Sequence, residues 1–90
     1  MRLEEILNLP DLQFNQYCEQ RFDVNKGVYN TIDNWFYNQG INSVVERRKT
    51  VLQFLYAITL NEGKVKFGPG GLTRKLQAFW EKQQIHSYAN

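Results

Sequence analysis

Arg74 and Lys75 stand where cations could bind an anion, because they follow the glycine-rich segment 68–71. We expect a helix to begin near Leu72, and the unpaired N–H groups of a first helical turn attract negative charge. Cations in that turn oppose the helix dipole, so selection for stability alone would favour Asp or Glu there. The pattern predicts a site for phosphate or for a carboxylate-rich partner. The alternative is a flexible loop with solvated charges.

A second group of cations is the run Arg47-Arg48-Lys49. Successive side chains on a helix point about 100° apart, so these three cannot all meet one partner. The run is either a solvated face or part of a basic patch with Arg74 and Lys75. Arg48 lies on the apolar side of its predicted helix, so we expect its stem to pack and its guanidinium to reach outward into water.

Aromatic residues are adjacent in two places, Trp35-Phe36-Tyr37 and Phe79-Trp80. Neighbouring rings span more of a helix surface than a core face can hide, so we expect Tyr37 and one of Phe79 or Trp80 to be partly exposed. Exposed aromatic rings beside arginine are typical of protein interfaces, and the same mixture stacks on single-stranded bases. Filling a small core is the alternative role of these rings.

Residues 64–67 alternate lysine with an apolar residue, as a short strand does, yet the sequence offers no second strand to pair with them. The segment is either an irregular connector or a strand added to the sheet edge of another protein or of a second copy of this chain. In the second case Lys66 is a candidate contact.

Residue counts and spacing exclude several chemistries. Cys18 and His86 are each the single residue of their type, which excludes a Cys/His metal cluster and an intramolecular disulfide. The segment 23–34 fails the calcium-loop pattern, because Gly27 falls one position early and Asn34 stands where glutamate is needed. The sequence also lacks paired carboxylates, a nucleophile elbow and a phosphate-binding glycine loop. We therefore predict no metal, no cofactor and no enzymatic activity.

The length and the charge distribution describe a small protein with two unlike halves. Its 90 residues suffice for one domain spanning residues 1–90. Residues 1–46 hold three cations and seven carboxylates, whereas residues 47–90 hold eight cations and two carboxylates. A basic half indicates a surface for a polyanion, unless the two halves pack together and cancel each other's charge. The longest apolar run is too short to cross a membrane, and the single cysteine fits a reducing compartment, so we expect a cytoplasmic protein.

Apolar spacing predicts the elements that position these residues. Short helical faces occur before Pro10 and over 14–22, 28–36 and 72–80, and a longer one follows Ser43. The box Ser43-Val44-Val45-Glu46 caps the start of that longer helix, which we expect to run for about 19 residues until Gly63. Gly40 is placed to end the helix before it. The fold prediction is a mostly all-α bundle of four to five helices with one short extended segment near 64–67.

These features predict a small, non-enzymatic helical protein that works by binding another macromolecule. The main hypothesis is a protein-binding adaptor, inhibitor or regulatory subunit of the phage or mobile-element type, with homo-oligomer formation left open. The alternative is a nucleic-acid-binding protein that uses its basic C-terminal half, and steep weakening of binding by salt would distinguish it. The predicted contact residues are the same for both: Tyr37, Arg47, Lys66, Arg74, Lys75 and Trp80.

Overall fold

A computed structural model describes the backbone of residues 1–62 and 70–89, with side chains for residues 1–60 and 70–84. Its five helices are α1 (Leu3–Leu7), α2 (Asp11–Phe22), α3 (Lys26–Asn38), α4 (Val44–Glu62) and α5 (Gly71–Ala89). The described residues contain no strand, which confirms the predicted all-α bundle of four to five helices. The extended segment predicted near 64–67 lies outside them. Within the described residues, no helix combines the length and apolarity that a membrane crossing requires.

Capping residues set the ends of α3 and α4. The side chain of Asn25 accepts a hydrogen bond from the backbone N–H of Val28 at 2.9 Å, so α3 begins inside the turn predicted over 23–27. Gly40 has φ +102° just after the end of α3, as its predicted role requires. The Ser43 hydroxyl accepts from the N–H of Glu46 at 3.3 Å, which is one of the two bonds of the predicted capping box. Local sequence therefore determines how α4 starts.

The core is built from one face of each helix, and aromatic rings hold α5 to the rest. Phe36 is fully buried, with its ring centroid 6.1 Å from that of Phe54, 6.0 Å from Phe79 and 6.1 Å from Trp80. Rings at these distances add attraction beyond the area they bury. The fully buried side chains come from four helices and from the connection between α2 and α3: Phe14, Cys18, Val24, Ile32, Phe36, Val51, Phe54, Leu55 and Leu76.

Arg48 does not reach outward, so the prediction of a solvated guanidinium is wrong. The residue is only 5% exposed. Its Nη1 donates to the backbone oxygens of Leu7 at 3.0 Å and Leu9 at 2.6 Å, and its Nη2 donates to Asp11 at 2.7 Å. The cause lies in α1, which ends after one turn and leaves carbonyls without helical N–H partners. A buried guanidinium satisfies these carbonyls, and it also lies 4.5 Å from the ring centroid of Phe14.

Replacing Arg48 by Met should destabilise the protein far more than removing the charge of its partner Asp11. Arg48→Met leaves the carbonyls of Leu7 and Leu9 unpaired, at a cost of about 2–4 kcal/mol in the free energy of unfolding. The Asp11 side chain is 94% exposed, so Asp11→Asn should cost less than about 1 kcal/mol. Urea unfolding followed by circular dichroism measures both variants. Equal losses would show that the ion pair, and not the pairing of the carbonyls, accounts for the stabilisation.

Candidate functional site

A concave surface, here called the arginine cleft, lies where α2, α3 and the start of α4 meet. It has a volume of about 470 Å³, and its walls include Leu12, Asn15, Tyr29, Asn30, Val44 and Arg48. That volume is within the usual range for small-molecule sites. Asp11, Lys26, Asp33 and Arg47 complete its lining, so charges of both signs border the cleft.

Arg47 joins the start of α4 to α3 at one edge of the arginine cleft. Its Nε donates to Asp33 at 3.0 Å, and its Nη1 donates to the backbone oxygens of Ile41 at 3.0 Å and Asn42 at 2.9 Å. Its guanidinium also lies 5.2 Å from the ring centroid of Tyr37. Two predicted contacts, Arg47 and Tyr37, are therefore neighbours. Tyr37 is 50% exposed, as predicted. Most N–H donors of Arg47, in contrast, already form hydrogen bonds within the protein.

Two residues that line the arginine cleft each carry a buried polar atom with no hydrogen-bond partner among the described residues. They are Oδ1 of Asn15, an acceptor, and Nε of Arg48, a donor. Nearby, burial and the negative charge of Asp33 raise the pKa of Tyr29 to about 12, although the positive charge of Arg48 opposes this. The Tyr29 hydroxyl is therefore neutral at physiological pH and can both donate and accept a hydrogen bond.

The second concave surface, here called the lysine groove, runs between α4 and α5 with a volume of about 220 Å³. Lys75, Ala78, Phe79 and Lys82 of α5 repeat every three or four residues and so share one helical face. Phe54, Ala57 and Ile58 of α4 complete the lining. The groove thus has an apolar floor with a lysine at two levels along α5.

The other predicted contacts lie on or beside α5, except for one outside the described residues. Arg74 is exposed in the first turn of α5, where its backbone N–H donates to Gly70 at 3.4 Å. Trp80 is half-buried, with its ring centroid 6.4 Å from that of Trp35. Lys66 is outside the residues that the structure describes. Since Arg47 borders the cleft and Lys75 borders the groove, the predicted contacts are divided between two surfaces.

Three residues that line these surfaces were not predicted from the sequence: Lys82, Asn15 and Asn30. Of these, Lys82 could have been found. Lys82 lies seven residues after Lys75, which is two helical turns along the same face. Asn15 and Asn30 come from different helices, and no spacing rule connects them before the helices pack.

Comparison with known proteins gives one informative match. The chain is 47% identical over 78 residues to the RNA-binding riboflavin kinase RibR of Bacillus subtilis (strain 168). The alignment covers 81% of this chain and 34% of RibR, so the chain spans about a third of the length of this curated relative. No protein-family model and no solved structure matches the chain.

This match contradicts the main functional hypothesis. The chain resembles part of an RNA-binding enzyme, so the prediction of a protein-binding adaptor, inhibitor or regulatory subunit of the phage type is wrong. The match also gives no support to a protein partner or to a homo-oligomer. The error has a physical reason: exposed aromatic rings beside cations suit both protein and nucleic-acid interfaces, and composition cannot separate the two.

The raised pKa of Tyr29 predicts a loss of stability in alkali. Its pKa is about 12 in the folded protein against an ordinary value of 10.0, so folding favours the neutral phenol. This contribution is complete below pH 10 and is lost as the pH rises towards 12. Between pH 8 and pH 11 the wild type should lose about 1 kcal/mol more stability than Tyr29→Phe, measured by urea unfolding. An equal loss in the two proteins would contradict the assignment.

Proposed function

We propose that this chain is a non-enzymatic RNA-binding domain whose lysine groove holds a single strand by its phosphate backbone. The observation that carries the proposal is the 47% identity to RibR, a protein described as RNA-binding. The alternative hypothesis from the sequence, a nucleic-acid-binding protein with a basic C-terminal half, agrees with it. The groove supplies a surface for that role, because lysine and arginine bind phosphates through charge and hydrogen bonds.

The positions of the cations support contact with a phosphate backbone. Lys75 and Lys82 are seven residues apart on one face of α5, which separates their backbone positions by about 10 Å along the helix axis. Arg74 is exposed one residue before Lys75 and extends the basic surface towards the start of the helix. The described side chains of α5 include one carboxylate, Glu81, against these three cations. The local potential on α5 therefore favours a polyanion.

The shape of the lysine groove supports single-stranded RNA over a duplex. A volume of about 220 Å³ suits part of one strand and is far too small to receive a double helix. The apolar floor contains Phe79, whose ring is partly buried. Proteins that bind unpaired RNA combine cations for the backbone with apolar or aromatic surface for the bases. The groove has this combination.

Binding of labelled single-stranded RNA should weaken steeply with salt. If Arg74, Lys75 and Lys82 each contact one phosphate, affinity should fall about twentyfold between 50 and 200 mM salt. Lys82→Glu should lower the affinity at low salt and make the salt dependence shallower, because one counterion-releasing contact is lost. Fluorescence anisotropy measures both effects.

Matched variants distinguish an effect of the lysine groove on RNA binding from an effect of the overall charge of the protein. Lys49→Glu changes the charge equally at an exposed position outside the groove, and should bind RNA more tightly than Lys82→Glu. Ala78→Glu places one negative charge inside the groove, and Gln84→Glu adds the same charge at an exposed position beyond it. If both groove variants bind as well as their controls, the lysine groove is not the RNA site. If the wild type does not bind RNA at 50 mM salt, the proposed function is wrong.

We also infer that the kinase activity in RibR's name does not belong to the part that this chain resembles. The chain spans about a third of RibR, and its sequence has no phosphate-binding glycine loop. In the arginine cleft, Asp11 and Asp33 are each paired with an arginine, at 2.7 and 3.0 Å.

The purified chain should therefore phosphorylate no riboflavin when it is supplied with ATP and magnesium. Chromatography of the flavin products measures this, with RibR as the positive control. Phosphorylated product from the chain alone would contradict the inference and would leave its RNA binding to be judged separately.

A further inference from the structure

We propose that the arginine cleft receives one unpaired nucleobase, and that this base belongs to the RNA strand bound under the proposed function. The cleft is separate from the lysine groove, since the two share no lining residue. The cleft would therefore add recognition of a base to the contact with the phosphate backbone. Contacts with the backbone position the strand, whereas contacts with bases depend on which bases are present.

The first support is a pair of unsatisfied buried groups on two residues that line the cleft. Arg48 is 95% buried, and its Nε is a donor without a partner among the described residues. Oδ1 of Asn15 is a buried acceptor that likewise lacks a partner there. Burying an unpaired polar atom costs free energy, so a side-chain shift that brings these groups to the acceptor and donor of a ligand in the cleft would be favoured. The edge of a nucleobase offers both.

The second support is the charge of the cleft, which disfavours a phosphate. The guanidinium groups of Arg47 and Arg48 are already paired with Asp33 and Asp11. An entering phosphate would meet two carboxylates, with Lys26 as the remaining cation of the lining. A base is neutral and avoids this repulsion, while the amide of Asn30 and the Tyr29 hydroxyl provide further donors and acceptors.

The third support is apolar surface at the rim of the cleft. Leu12 is 64% exposed and Val44 is 49% exposed, although both are large apolar residues. A flat base has two faces with little polarity, which pack well against such side chains while its edge forms hydrogen bonds. With its volume of about 470 Å³, the cleft has room for a base and part of its ribose.

Filling the cleft with a tryptophan tests the proposal, and the next residue provides the control. Val44 lines the cleft, whereas Val45 is also exposed, at 36% against 49%, and does not line it. Both variants should be compared on RNA of about twelve nucleotides and on an abasic ribose-phosphate oligomer of equal length. Val44→Trp should weaken binding of the RNA about tenfold and leave binding of the abasic oligomer unchanged. Val45→Trp should bind both like the wild type.

The outcomes separate this proposal from the proposed function. If Val44→Trp and Val45→Trp bind RNA equally well, or if Val44→Trp weakens both oligomers equally, the cleft does not hold a base. In both cases the lysine groove is still tested by the salt dependence and by Lys82→Glu. Circular dichroism checks that Val44→Trp is folded, and Leu12→Trp at the same rim should give the same selective loss.

A separate titration with free nucleosides distinguishes a base in RNA from a free small molecule. Adenosine, guanosine, cytidine and uridine are added singly at millimolar concentration, and NMR follows the side-chain amides of Asn15 and Asn30. Shifts that are absent in Val44→Trp support a base site, and if RNA itself fails to bind they assign the cleft to a free nucleoside. If RNA fails to bind and no nucleoside shifts these amides, the proposal is overturned.

Discussion

The buried guanidinium of Arg48 is the interaction on which the arrangement of the N-terminal helices depends. It pairs the carbonyls of Leu7 and Leu9 at and just after the end of α1, and its guanidinium lies over the ring of Phe14 of α2. A helix of five residues is too short to be stable alone, so α1 needs such a tertiary partner. The same side chain forms part of the wall of the arginine cleft, so one residue both stabilises the fold and shapes the proposed base site.

Packing redistributes the charge asymmetry of the sequence. Arg47 and Arg48 begin the basic half, and both form ion pairs with aspartates of the acidic half, Asp33 and Asp11. The halves thus partly cancel each other at the arginine cleft, while the cations of α5 stay beside the lysine groove. This division matches the two proposed roles, since a mixed-charge cleft suits a neutral base and a basic groove suits phosphates. Aromatic packing of Phe79 on Phe36 and Phe54 holds the groove-bearing helix in place.

Much of the fold was predictable, because its signals are local. Ser43 and Gly40 mark a helix start and a helix end through backbone groups only a few residues away, and both predictions are confirmed. The candidate site was harder to predict from the sequence than the fold. Arg74 and Lys75 were selected from their place in the first turn of a predicted helix, yet their contact with a partner is still a prediction. The direction of the Arg48 side chain was predicted wrongly, since its partners are about forty residues away along the chain.

The sequence by itself determined the helical class, the helix boundaries set by caps and glycines, and the excess of cations after residue 46. These properties depend on composition or on residues within one or two turns of each other. Only the tertiary structure decided which cations are internal and which line a groove, and which polar atoms were left without partners. The physical reason is that burial and hydrogen-bond satisfaction depend on residues from different helices, and their meeting is set by packing rather than by sequence spacing.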